Sequence, residues 1–245
     1  MRVFHVSLIV SAALAAALAM AGCGGGSAAA RVELPFATSA EPLASVTNDR
    51  GFRVELAEVT LPLRDLHLTG RGEQHARVPL RTLERLGAWV LPTAHAHPGH
   101  EAGGDVLGER LGPFEARFGG GTADPLGTVT VLEGSLRGGS FRFRGDAPVI
   151  VKGEAVRGDG SRLPLELEVS LPDGARVDGI PLMLDVTART EGTLRLRLLP
   201  SSTRGRTLFD AIDFDNFDEA AARNAVARAV QDHAHFELVF QPEEE

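Results

Sequence analysis

The chain has 245 residues, 43% of them hydrophobic, with 33 acidic against 25 basic side chains and a net charge of −8. That balance argues against a grip on nucleic acid or on anionic lipid and is mildly favourable to cations. One cysteine excludes a disulfide-stapled scaffold, and the length suffices for one sizeable core.

Residues 1–22 read as a secretory signal peptide: Arg2, then an apolar run from Val6 to Ala21, then small residues. The segment Met20-Ala21-Gly22-Cys23 resembles a bacterial lipobox, with Met where Leu is usual. The resemblance implies cleavage before Cys23 and lipidation of that cysteine, which would anchor the chain to a membrane. Removing residues 1–22 takes away Arg2 alone, so the remainder is one unit more acidic. Gly24, rather than Asp, after the cysteine resembles lipoproteins sent to the outer membrane and facing the periplasm. Residues 23–48 are rich in Gly, Ala and Ser and read as the lipidated cysteine and a flexible tether, with one domain over 49–245.

From residue 52 onward, period-2 alternation dominates. Candidate strands are Phe52–Leu61, Arg64–Thr69, Phe114–Phe118, Gly127–Glu133, Ser140–Arg144 and Val149–Val156. Leu163, Leu165, Leu167, Val169 and Leu171 form one apolar face; Ile180, Leu182, Leu184 and Val186 form another; Leu194, Leu196 and Leu198 form a third. Turn signals such as Gly158-Asp159-Gly160 and Pro172-Asp173-Gly174 separate them. The expected fold is mainly β, an antiparallel β-sandwich with one helix in the C-terminal region. Asp218 is the expected N-cap of that helix, with Ala222, Val226, Ala229 and Val230 at helical spacing and an end near Asp232. A weaker helix is expected over Leu80–Ala88, and a last strand carries Phe236, Leu238 and Phe240.

Chemistry concentrates in His95-Ala96-His97-Pro98-Gly99-His100-Glu101. Three imidazoles and a carboxylate in seven residues suit zinc, copper or nickel, and the competing reading is a polar loop rich in histidine. His233-Ala234-His235 repeats the His-x-His spacing. On a strand its two imidazoles would share a face and offer two ligands to one ion, completing the first site or forming a second. The alternative is a histidine pair closing a helix C-terminus. His67 is expected opposite Leu66 and Leu68, and His75 in a loop, with Asp65 able to orient a neighbouring imidazole. The run Asp210 to Glu219 is rich in oxygen ligands but lacks the EF-hand pattern, so Phe209, Ile212, Phe214 and Phe217 are expected to pin it to the core. Met183 is expected within a core strand, and no soft ligand set for copper(I) is present. Nucleophile-elbow, P-loop and His-Glu-x-x-His patterns are missing, so no enzyme is expected.

The lipobox, the β-rich body, the histidine loop and Thr207-Leu208-Phe209-Asp210-Ala211-Ile212-Asp213-Phe214 together resemble copper-associated periplasmic lipoproteins found alongside methanobactin systems. That resemblance implies copper binding, in some members through histidines and an oxidised tryptophan; Trp89 is the only tryptophan here. The expected function is a lipid-anchored protein of the bacterial envelope that captures, buffers or delivers copper or zinc. The rivals are a structural lipoprotein holding an envelope protein partner and a zinc-dependent hydrolase.

Overall fold

A computed structural model describes residues 30–70 and 105–243. The fold is mainly β, with one α-helix among the described residues, near the C-terminus. The strands are β1 (Arg31–Thr38), β2 (Val46–Thr47), β3 (Arg53–Gly70), β4 (Val106–Phe118), β5 (Pro125–Leu132), β6 (Gly134–Phe143), β7 (Val149–Val156), β8 (Arg162–Val169), β9 (Arg176–Val186), β10 (Gly192–Leu198) and β11 (Phe236–Pro242). The helix α1 covers Glu219–Ala229. Among the described residues the strands make one hydrogen-bonded sheet in the order β11-β10-β1-β5-β4-β3-β6-β9, with β2 and β7 also on β3 and β8 on β7.

The sheet is mixed. All ladders are antiparallel except β1 with β10, which run parallel with Phe36 opposite Leu194. A purely antiparallel arrangement is therefore corrected, because β1 enters the sheet from a distant part of the chain. The sheet curls on itself. Leu238 of β11 lies over Gly139 of β6, where a Cβ would collide with its methyl. Phe236 meets Phe141 edge to face at 5.1 Å. The glycine is what lets the two ends of the sheet approach.

β1 corrects the expected tether. Leu34 and Phe36 are 1% exposed, and the strand is flanked by β5 and β10, so the domain begins at Arg31 rather than at residue 49. The physical reason is the alternation Val32, Leu34, Phe36, which buries one face of the strand. Residues 24–29 of the expected tether lie outside the described residues.

The expected strands Phe52–Leu61 and Arg64–Thr69 are one strand, β3, kinked at Asp65. Asp65 has φ of 51° and breaks the register with both neighbours. Such a bulge bends the strand without ending it. Asp65 Oδ1 accepts the Gly112 N–H at 3.1 Å and Oδ2 accepts from Arg64 Nε at 2.9 Å. The Gly112 N–H, joined by Arg64 and Arg142, holds this carboxyl below its ordinary range against the burial that would raise it.

The alternating rows land as the periodicity requires. Leu165, Leu167, Val169 and Leu171 are buried, as are Ile180, Leu182 and Val186, and Leu194, Leu196 and Leu198. Met183 is the exception to its expected place. It is 84% exposed because it occupies the odd, outward position of β9. Asp218 caps α1, its side chain accepting from Ala220 N and Ala221 N. The helix ends at Ala229, with Val230 as C-cap, slightly before the expected end. Leu80–Ala88 lies outside the described residues.

Candidate functional site

The chain leaves the sheet at Gly70 and returns at Asp105, on adjacent antiparallel strands. The two ends are tied by the Gly70 N–H donating to the Asp105 carbonyl at 2.9 Å. His95, His97, His100 and Glu101 fall in this connection and lie outside the described residues, as do His75 and Trp89. Cys23 lies outside them too. The same end of the sheet receives the chain at Arg31. Arg31 pairs with Leu132, the β5–β6 turn follows, and Leu136 pairs with Gly70.

At the foot of that connection stands a row of polar side chains on the outer face. His67 is opposite Glu109 of β4 on one side and opposite Ser140 of β6 on the other. Glu109 is in turn opposite Thr130 of β5. Directly opposed residues share a face, with Cβ atoms about 5 Å apart. Leu66 and Leu68, which flank His67 in sequence, are both 0% exposed and face the core, so His67 is outward as the alternation implies. Sequence reasoning missed Glu109 as the neighbour of His67, because pairing register is set by the Asp65 kink and by a second irregularity at Leu68/Thr69. No hydrogen bond joins the side chains of Ser140, His67 and Glu109 in this row. Among the described residues, the hydrogen bonds of Asp65 go to Gly112 and Arg64 and not to an imidazole.

The His233/His235 pair does not have the geometry expected of a strand. His233–His235 is a 3₁₀ turn, capped by Asp232, whose side chain accepts from Ala234 N. Successive residues of such a turn are rotated by about 120°, so positions i and i+2 point in different directions. His235 is 1% exposed, and its Nδ1 lies 2.8 Å from the Leu199 carbonyl. A carbonyl only accepts, so Nδ1 carries the proton. His233 Nδ1 lies 3.5 Å from Asp232 Oδ1. The turn is therefore a joint between α1 and β11 and not a two-imidazole face. Asp232, with a short capping side chain, is the sequence signal that distinguishes the two.

The acidic segment 210–219 folds around its apolar residues as expected. Phe209 and Phe214 are 0% exposed and Ile212 3%. Its carboxylates serve the backbone. Asp213 accepts from Asp215 N and Asn216 N, Asp215 accepts from Gly158 N, and Asp210 accepts from Thr207. The Asn216 N–H and side chain hold the Asp213 carboxyl below its ordinary range. Among the described residues, no three His, Cys, Asp or Glu side chains converge as a metal site.

Comparison with family models, with curated proteins and with solved structures finds no match to this chain.

Proposed function

We propose that this chain is a lipid-anchored protein of the bacterial envelope that binds a transition metal ion, copper or zinc, through His95, His97, His100 and Glu101. The role is capture, buffering or delivery to an envelope partner. The observation that carries this reading is the place of the histidine stretch. It falls within the connection 71–104, whose flanking residues Gly70 and Asp105 are hydrogen-bonded on neighbouring strands, so the two ends of that connection are brought together by the sheet. Closing a connection this way removes part of the entropy that would oppose gathering several ligands. His67 opposite Glu109 adds an imidazole and a carboxylate at its foot.

Imidazole and carboxylate donors suit zinc and copper(II). A lipidated Cys23 would leave no thiolate to compete for the ion. Seven residues separate Cys23 from Arg31, the first residue of β1. A chain of that length reaches at most about 30 Å. His233 and His235 are left out of the ligand set on the geometry of their turn.

The test is a triple replacement of His95, His97 and His100 by Ala in residues 23–245 with Cys23→Ser. Competition with a chromophoric chelator would show affinity for zinc or copper(II) falling at least 100-fold, with the β-rich circular dichroism unchanged. Unaltered affinity in the triple variant would refute the ligand assignment.

A further inference from the structure

Thr130, Glu109, His67 and Ser140 stand directly opposite one another on β5, β4, β3 and β6, and so form one row on the outer face of the sheet. Among the described residues, none of these four side chains makes a hydrogen bond or an ion pair. Asp178, opposite Ser140 on β9, differs: it is ion-paired with Arg176. The row therefore holds an imidazole and a carboxylate that no neighbour has claimed, flanked on each side by a free hydroxyl.

The backbone sets the two donors side by side. Leu66 and Leu68 are 0% exposed, and Gly108, opposite Leu68, is buried, so His67 and Glu109 both project outwards. Directly opposed residues have Cβ atoms about 5 Å apart. Metal bonds of about 2.0–2.2 Å bring two donor atoms to about 3 Å from each other. Side-chain rotation spans that difference, since no partner restrains either group. β3 is paired on both sides here, with β4 and with β6, so the platform beneath the donors is fixed by two ladders. Glu109 and Thr130 also line the groove that opens where β4 and β5 part, which leaves that side of the pair open to water.

We infer that His67 and Glu109 form a two-donor metal site on the outer face, which takes copper(II) and, more weakly, zinc, with water completing the coordination shell. Imidazole with carboxylate suits both ions, and copper(II) binds such donors the more tightly. Structural metal sites use four protein ligands, so an ion held by two is held weakly and released readily. The pair suits exchange of the ion and not its storage. This site rests on the metal-binding reading for its choice of ion, yet it contains no residue of the histidine stretch.

The test uses residues 23–245 with Cys23→Ser, which contain the whole compact unit Arg31–Glu245, in a background where His95, His97 and His100 are Ala. Copper(II) is titrated in, and the loss of amide NMR signals caused by the paramagnetic ion is followed. The signals of His67, Glu109, Thr130 and Ser140 should fade first, with a Kd on the order of 100 μM. His67→Ala should weaken this binding at least 10-fold and Glu109→Gln at least 3-fold. Both positions face outwards, so the core is untouched and the remaining signals should keep their places. Fading that begins away from the row, or an unchanged Kd in His67→Ala, would overturn the assignment. Failure of the histidine stretch to bind metal would leave these measurements standing, because the background lacks it.

Discussion

Asn48 offers a sharp test of whether residues 31–48 belong to the folded domain. Its side chain is buried, with 5% of the residue exposed. Nδ2 donates to the Phe209 carbonyl at 3.1 Å and to the Ile212 carbonyl at 2.9 Å. Oδ1 accepts from Arg50 N at 3.1 Å and from Phe52 N at 3.0 Å. Every donor and acceptor position that an asparagine ordinarily offers is thus used, and the side chain clamps the β2–β3 turn to the segment before α1. Replacing it by Ala removes four bonds and strands the Ile212 carbonyl, while the Phe209 carbonyl keeps the Ile212 N–H. At about 1 kcal/mol net for each bond, with the desolvation of orphaned groups in addition, Asn48→Ala should lose about 3–5 kcal/mol. That is a large share of the ~5–15 kcal/mol expected for a domain. The assay is urea unfolding followed by circular dichroism, with the m-value expected to stay constant. Asn216→Ala, an exposed asparagine with one long side-chain bond to Asp213 at 3.3 Å, is the control and should change stability by no more than about 0.5 kcal/mol. A loss of less than about 1 kcal/mol in Asn48→Ala would refute the clamp and return this stretch to a tether.

Three further outcomes follow from the packing. Gly153→Ala places a Cβ against the Glu55 backbone carbonyl, which cannot yield, whereas Gly139→Ala meets the movable end of Leu238; thermal unfolding should show the first losing about 2–3 kcal/mol and the second about 1 kcal/mol. Asp65→Asn keeps a side-chain acceptor for the Gly112 N–H and tolerates the positive φ, but removes the charge. Because the folded-state pKa of Asp65 is lowered, its charge stabilises fully above the unfolded pKa of about 3.9 and ceases to do so as pH falls through the folded value. The stability gap between wild type and Asp65→Asn should therefore be about 1 kcal/mol near pH 6 and shrink below pH 4, which denaturation curves across that range would reveal. His235→Ala should cost about 2–4 kcal/mol through a lost buried bond and a cavity, while leaving metal affinity in chelator competition unchanged; a fall in affinity would restore it as a ligand.

Much of this architecture is written in local sequence. The runs Leu163 to Leu171 and Leu194 to Leu198 alternate cleanly because each strand buries one face, and Asp218 announces α1 through its capping chemistry. The missed parts depend on non-local pairing. β1 hides behind Pro35 and a neighbourhood of Gly, Ala and Ser, and its parallel partner β10 lies far along the chain. The Asp65 kink is invisible to periodicity, yet it sets which residue faces His67 across the sheet. The His-x-His motif misled because spacing alone does not distinguish a strand from a 3₁₀ turn, and Asp232 decides it by capping.

The central claim is metal capture by the histidine stretch. Its most direct test is isothermal titration of residues 23–245, with Cys23→Ser, by zinc and copper(II) at pH 7.5 and pH 5.5. Imidazoles bind when neutral, so the account predicts one-to-one binding tighter than about 1 μM at pH 7.5, weakened at least tenfold at pH 5.5. Binding weaker than about 10 μM for both ions at pH 7.5, or an affinity indifferent to pH, would contradict it.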